Sequence, residues 1–285
     1  MQHLHRVPGD LLTGPVRVLV VGCGGNGGAV ACGLPSLHKT LIARGHPHGL
    51  HCVLMDGDEV SLANTQSGRQ PFHAGDVGHN KAKILASRLN LFHGLRWGAY
   101  PHFLQPKHDL ANYYDIVIGC VDSHKARRVI AQVCQSSRVA YWLDLGNNAD
   151  VGQFVLGQPI NRRNSKEDPA RLLTAPERYP EMLDTKLPER NEPSCSAAEA
   201  VSRQLPFLNQ TLAQLSLSLL ERLFAVGIEH HGAVVRLTPG EAGTRMVTAI
   251  PIPPPVAPEP PAPPAEGKGA RARRRRKAAA IAEVG

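Results

Sequence analysis

Apolar residues over the first 160 positions follow two alternating rhythms. VRVLVVG (16–22), LHCVLMD (50–56) and DIVIGCVD (115–122) are continuous apolar runs of strand length, as strands buried on both faces require. Between them, the segment from Asn26 to about Arg44, GHNKAKILASRLNLF (78–92) and HKARRVIAQVCQSS (124–137) carry apolar residues at helical spacing. Pro35 lies inside the first of these, where its missing N–H predicts a bend or a break. Strands alternating with helices predict an α/β fold, a doubly wound Rossmann-like sheet that receives its ligands at the carboxyl ends of the strands. VAYWLDLG (139–146) and VGQFVLG (151–157), separated by NNAD, predict a hairpin, which makes the later sheet mixed.

Residues 158–194 break the rhythm: they are charged, rich in proline and show little apolar periodicity. A connection of that length inside a compact domain is usually functional or disordered. A helical run comes next, AAEAVSRQLPFLNQTLAQLSLSLLERLFAVG (197–227), with a kink predicted near Pro206, and then a final hairpin of AVVRL and RMVTAI around PGEAG. From 251 the chain becomes a proline-rich, arginine-rich tail, read as disordered. The expected organisation is one domain over 1–250, with 158–194 a long loop within it, and a tail over 251–285.

The formal charge of +8 changes little in this picture, because KGARARRRRK (268–277) alone carries seven cationic side chains and leaves the body near neutral. That run is read first as a solvated end, with electrostatic contact to nucleic acid as the alternative. No stretch reaches the length of a membrane span and the N-terminus lacks a signal-peptide pattern, so a cytoplasmic protein with no membrane contact is expected. The six cysteines (23, 32, 52, 120, 134 and 195) form no C-x-x-C pair, which argues against a disulfide framework and against zinc.

Chemistry concentrates after the first strand. VGCGGNGGAV (21–30) contains Gly22, Gly24, Gly25 and Gly27, small residues that let backbone N–H groups approach a phosphate at a helix N-terminus. Asp56, ending the second strand, is the acid that such folds present to ribose hydroxyls. These two features alone suit NAD, FAD or ATP.

The stretches beyond the second strand are more selective: DGDEVSLANTQSGRQPF, DVGHNK and GCVDS contribute Asp56, Asp58, Asn64, Arg69, Gln70, Lys81 and Asp122 in series. In this order the sequence resembles the ThiF/MoeB and ubiquitin-activating-enzyme superfamily, over residues 16–125 in its motifs and to about residue 250 in its extent. AYWLDLGNNADVGQFVLG and the GHPHGLH insertion look most like the ThiF-like branch found with the PRTRC gene cassette of plasmids. The resemblance implies an adenylation fold that binds ATP with Mg²⁺ and activates the C-terminal carboxylate of a small ubiquitin-like or sulfur-carrier-like β-grasp protein, working as a homodimer. It implies phosphate-facing cations in Arg69 and Lys81, a Mg²⁺ ligand in Asp122, a ribose ligand in Asp56, and supporting polar groups in Asp58, Asn64 and Gln70.

The sequence departs from the family pattern in three places. Four residues, Thr65 to Gly68, separate Asn64 from Arg69 where the family has two, so the Arg69 and Gln70 assignments require a loop that bulges outward. The zinc-binding cysteine pairs are missing, and Arg6 is the one candidate for the family's arginine-bearing N-terminal arm. Cys195 stands before Ser196-Ala-Ala-Glu199, a capping-box signature that sets its thiol against a helix N-terminus, where a thiolate is favoured. It is the candidate acceptor for acyl transfer after adenylation, against the alternative of a helix-start cysteine with no chemistry. Two other readings of the whole chain stay open: an NAD(P)-dependent oxidoreductase, which leaves the series after Asp56 unexplained, and a catalytically inactive nucleotide-binding or interaction module.

Overall fold

Val16–Val21 forms β1, whose side chains are all buried except Arg17, and it takes a central place in the sheet because both of its faces are apolar. The computed structural model describes residues 4–66, 68–106, 113–148, 150–184, 186, 207–237 and 246–253. Leu50–Met55 (β2) and Ile116–Gly119 (β4) pair with β1 in parallel on either side; Gly98–Tyr100 (β3) pairs with β2, and Tyr141–Asn147 (β5) with β4. Val151–Gly157 (β6), His230–Arg236 (β7) and Val247–Pro251 (β8) then continue the sheet antiparallel, giving the order β3-β2-β1-β4-β5-β6-β7-β8. The strand order turns back between β1 and β4, the switch point at which open α/β sheets bind ligands.

Short α1 (Asp10–Thr13) precedes β1, and α2 (Gly25–Ala43) succeeds it. With α4 (Lys81–His93) and α7 (Leu208–Ala225), α2 covers one face of the sheet around Val18, Val20, Leu54, Ile118 and Leu143. The other face packs Leu19, Val21, Met55 and Val117 against Ile130, Val133 and Cys134 of α5 (His124–Gln135). Pro35 is buried within α2, which continues through it, so of the bend or break expected the break does not occur. Close packing holds the helix there: Gly33 admits the Leu217 side chain of α7, and a Cβ at that position would stand 2.4 Å from Leu217 Cδ1.

Two boundaries differ from the apolar pattern for local reasons. The helix expected from residue 78 begins at Lys81, because Gly78 adopts φ +84° and the Asn80 side chain caps α4 by accepting from the Lys83 N–H. β4 ends at Gly119, so Asp122 lies in the loop beyond the strand.

Residues 158–184 are ordered by polar side chains rather than by apolar periodicity. Asn164 Nδ2 donates to the carbonyls of Val139, Ala140 and Pro159, and Arg171 donates to Gln158 O and to both carboxylate oxygens of Glu177. Glu177 closes a capping box with Thr174 at the start of α6 (Ala175–Arg178), and a 3-10 turn, Pro180–Leu183, comes after it. Ala175 and Met182 then pack with Val155 and Ile250 on the outer face of the antiparallel strands. The remainder of the 158–194 loop from residue 187, Cys195, the expected kink at Pro206, the hairpin turn over 238–245 and the tail from 254 lie outside the described residues. Among the described residues no helix is long and apolar enough to cross a membrane.

Candidate functional site

The glycines after β1 are small for different reasons, shown by what a side chain would meet at each. Gly22 turns the chain at φ +90°, a conformation that favours glycine, and lies under the Cys120 carbonyl of the neighbouring β4 loop. At Gly27 a Cβ would stand 1.8 Å from Gly22 O, and at Gly25 it would stand 2.1 Å from Asn209 Nδ2 of α7. Gly24 alone of the four has open space where its side chain would be. Gly22, Gly25 and Gly27 therefore serve the close approach of protein to protein, while Gly24 leaves room outside it. The N-terminus of α2 has no side-chain cap, so its first-turn N–H groups lack the usual side-chain acceptor.

Asp56 stands directly after β2 and is buried, its Oδ2 accepting from Cys23 N–H at 2.6 Å and its Oδ1 from Asp58 N–H at 2.8 Å. Burial pushes its pKa up, while these two amides and Lys81 draw it back. The acid thus ties the glycine loop to the second strand. Asn80 extends the tie by donating to the carbonyls of Asp56 and Asp58, which sets Lys81, the first residue of α4, 3.2 Å from the Asp58 carboxylate. The Lys81 side chain is nearly buried and that of Asp58 is half exposed.

The longer spacing after Asn64 is taken up by a short helix, α3 (Leu62–Gln66), and a left-handed turn at Gly68. Asn64 Oδ1 accepts from Ser61 N–H, so this amide closes its own turn. The chain returns at Pro71, whose ring lies against Gly28 of α2 and whose carbonyl accepts from Arg88 of α4 at 3.1 Å. Arg88 also pairs with buried Asp76. Arg69 and Gln70 enter this return, each half buried; burial lowers the pKa of Arg69, and Gln70 Oε1 is buried with no hydrogen-bond partner among the described residues.

Asp122 is exposed on the loop after β4 and makes no hydrogen bond or ion pair among the described residues. The next helix is capped by Ser123, whose Oγ accepts from Ala126 N–H, so capping is not the task of Asp122. Beneath the loop, Arg127 of α5 faces Asp144 of β5 at 3.4 Å, both buried; burial raises the Asp144 pKa to about 6 against the pull of Arg127. Cys195 lies outside the described residues. Cys23 is fully buried, and burial together with Asp56 pushes its thiol pKa well up. His46 is engaged at both ring nitrogens, by Leu11 O and Gly49 N–H, and among the described residues no group of three His, Cys, Asp or Glu could hold a metal on its own.

Three features of this edge are not evident from the motifs. Arg127 shares the helical spacing of Ile130, Ala131 and Cys134, which marks it as a core-facing charge in need of an acid. Phe103, beyond β3, packs three of its ring atoms within 2.6–2.8 Å of where a Gly57 side chain would begin, next to Asp56, yet is 62% exposed. Asn26, Asn147 and Asn209 come from three distant segments, and no local pattern connects them.

A glycine loop with an uncapped helix, an acid at the end of β2 and a solvent-facing acid after β4 lie at the switch point of a doubly wound α/β sheet, where such folds receive their ligands. Residues 12–222 match the ThiF family, and the chain belongs to it. Among solved structures the chain is similar to PaaA, with a TM-score of 0.53 and 16% identity over 83% of this chain and 64% of that one. It is also similar to MccB of E. coli in a crystal structure with ATP (TM-score 0.51, 15% identity, 85% of this chain and 65% of that one) and in another with AMPCPP and MccA (0.50, 16%, 83% and 64%). At these identities the likeness concerns the fold, and the chain spans less than two thirds of the length of those proteins. No curated protein matches it.

Proposed function

We propose that this protein adenylates the C-terminal carboxylate of a small ubiquitin-like or sulfur-carrier-like protein at the expense of ATP, and that it belongs to the PRTRC-associated branch of its family. The observation that carries the reading is the pairing, across the β1/β4 switch point, of an uncapped α2 N-terminus beside the open side of Gly24 with the exposed carboxylate of Asp122. Uncapped amides suit phosphate oxygens, and an exposed acid without a partner among the described residues suits a cation carried by a triphosphate.

In the proposed reaction a carboxylate oxygen of the partner attacks the α-phosphorus of ATP. The bond from that phosphorus to the bridging oxygen breaks, and pyrophosphate leaves with the electron pair. Two anions must approach, so the site has to stabilise negative charge as it concentrates on the phosphates. Arg69 and Lys81 supply fixed cations; Lys81, already beside Asp58, can be shared between that carboxylate and a phosphate oxygen. Asp56 receives ribose hydroxyls, and the open face of Phe103 receives the base. Gln70, with its buried carbonyl, and Asn64 complete the polar wall. Asp122 would hold Mg²⁺, which lowers the repulsion between carboxylate and triphosphate. In the second step the Cys195 thiolate attacks the acyl carbonyl and AMP leaves with the electron pair, forming a thioester. Family resemblance supports a homodimer with a site in each protomer.

The test is ATP–pyrophosphate exchange with a β-grasp protein encoded beside this one, compared with Asp122→Ala and Cys195→Ala. Exchange that needs Asp122 and survives loss of Cys195 is the expected result. Absence of exchange with a verified partner and bound ATP would leave a nucleotide-binding module without the chemistry. A thermal shift with NADH and none with ATP would return the oxidoreductase reading.

A further inference from the structure

Three asparagines meet beneath the first turn of α2. Asn26 Nδ2 donates to Asn147 Oδ1 at 2.9 Å, and Asn147 Nδ2 donates to Asn209 Oδ1 at 3.1 Å. Asn26 is the second residue of α2, Asn147 the last of β5 and Asn209 the second of α7. Asn209 is 3% exposed, and its amide lies so close over Gly25 that a side chain there would displace it. Asn26 Oδ1 is itself buried with no hydrogen-bond partner among the described residues.

Midway along their contact α2 and α7 meet through apolar packing, as at Gly33 and Leu217, and at the far end Arg44, the C-cap of α2, pairs with Glu221. Buried amides gain little net stability from such bonds, and an unpaired buried carbonyl costs free energy, so this arrangement serves direction better than stability. The two bonds join the helix terminus to a rigid strand and to a second helix. They leave the first-turn N–H groups of Gly25, Asn26 and Gly27 without a side-chain cap.

We infer that Asn147 and Asn209 are positioning residues for the phosphate site: through Asn26 they fix the direction of the first turn of α2 and hence of the amides that meet phosphate oxygens. The inference rests on the ATP reading and assigns neither side chain a contact with nucleotide. It predicts a defect confined to phosphates.

The experiment is calorimetric titration of wild type, Asn209→Leu, Asn147→Ala and the double variant with ATP, inorganic tripolyphosphate and adenosine, all with magnesium present. Both single variants should weaken ATP and tripolyphosphate binding about tenfold while adenosine affinity stays at the wild-type value, even where the amides left unpaired lower the unliganded Tm. The double variant should be no weaker than the poorer single one, since both break one chain of bonds. Asn147→Ala, at a half-buried strand end, carries the test should Asn209→Leu fail to fold. Unchanged tripolyphosphate affinity, or an equal loss for adenosine, would overturn the inference. Wild-type protein that binds neither ATP nor tripolyphosphate would overturn the nucleotide reading itself, and this one with it.

Discussion

Single side chains at the sheet edge differ sharply in how far the protein already uses them. Asp56 is committed to two backbone amides, whereas Asp122 is exposed and makes no bond among the described residues. Asp122→Ala should therefore leave Tm within about a degree of wild type while lowering pyrophosphate exchange by about 100-fold or more, the loss expected when a cation ligand is removed from phosphoryl chemistry. Phe103→Ala should raise the Kd for ATP about tenfold and leave tripolyphosphate binding unchanged, because only the base gains from an aromatic face; Phe103→Tyr should bind as wild type. Away from the site, His231 donates through Nδ1 to Leu156 O at 2.8 Å while its Nε2 is buried with no partner among the described residues, so the ring is held neutral. Burial lowers its pKa from 6.5 to about 4. The unfolded chain then binds more protons than the native one between those values, and this contribution to stability, about 3 kcal/mol, is present above pH 6.5 and lost as pH falls toward 4. Urea denaturation at pH 7 and pH 5 should show a smaller acid loss for His231→Leu than for wild type.

At the scale of elements, the contact of β1 with α2 is decided by glycines that look interchangeable in the sequence. Gly27→Ala would drive a methyl into Gly22 O and should destabilise the protein by about 1–3 kcal/mol in chemical denaturation. Gly24→Ala meets nothing within 4 Å, so it should fold with wild-type stability and lose affinity for ATP alone. Equal losses of stability for both would mean that the loop is only a tight turn. The 158–184 segment shows a second kind of element, one whose order depends on Asn164, Arg171 and Glu177 rather than on an apolar stripe. Helical and strand periodicities cannot detect it, because polar side chains that bond distant carbonyls follow no fixed spacing.

For the whole molecule the sequence separates a near-neutral body from a cationic tail. All described residues belong to one compact unit, 1–254, and the run over 268–277 lies beyond it. Deleting residues 254–285 should leave ATP affinity and Tm unchanged while abolishing retention on heparin, whose salt dependence would identify the contact as electrostatic. Retention that survives the deletion would assign the contact to the body. Light scattering at micromolar concentration should return the mass of a dimer, as the family resemblance implies.

The amino-acid sequence by itself determined the alternation of strands and helices, the glycine turn after β1, the acid at the end of β2 and the mixed hairpin strands. These depend on local periodicity and on residue types that a conformation demands. The order of the charged and amide residues was also legible as a series. Tertiary structure alone decided which glycines face protein and which faces open space, that Ser123 rather than Asp122 caps α5, that Pro35 is carried through an unbroken helix, and that Asn26, Asn147 and Asn209 join. Each depends on distances between segments far apart in the chain, and those are set by packing across the sheet rather than by the neighbours of a residue in sequence.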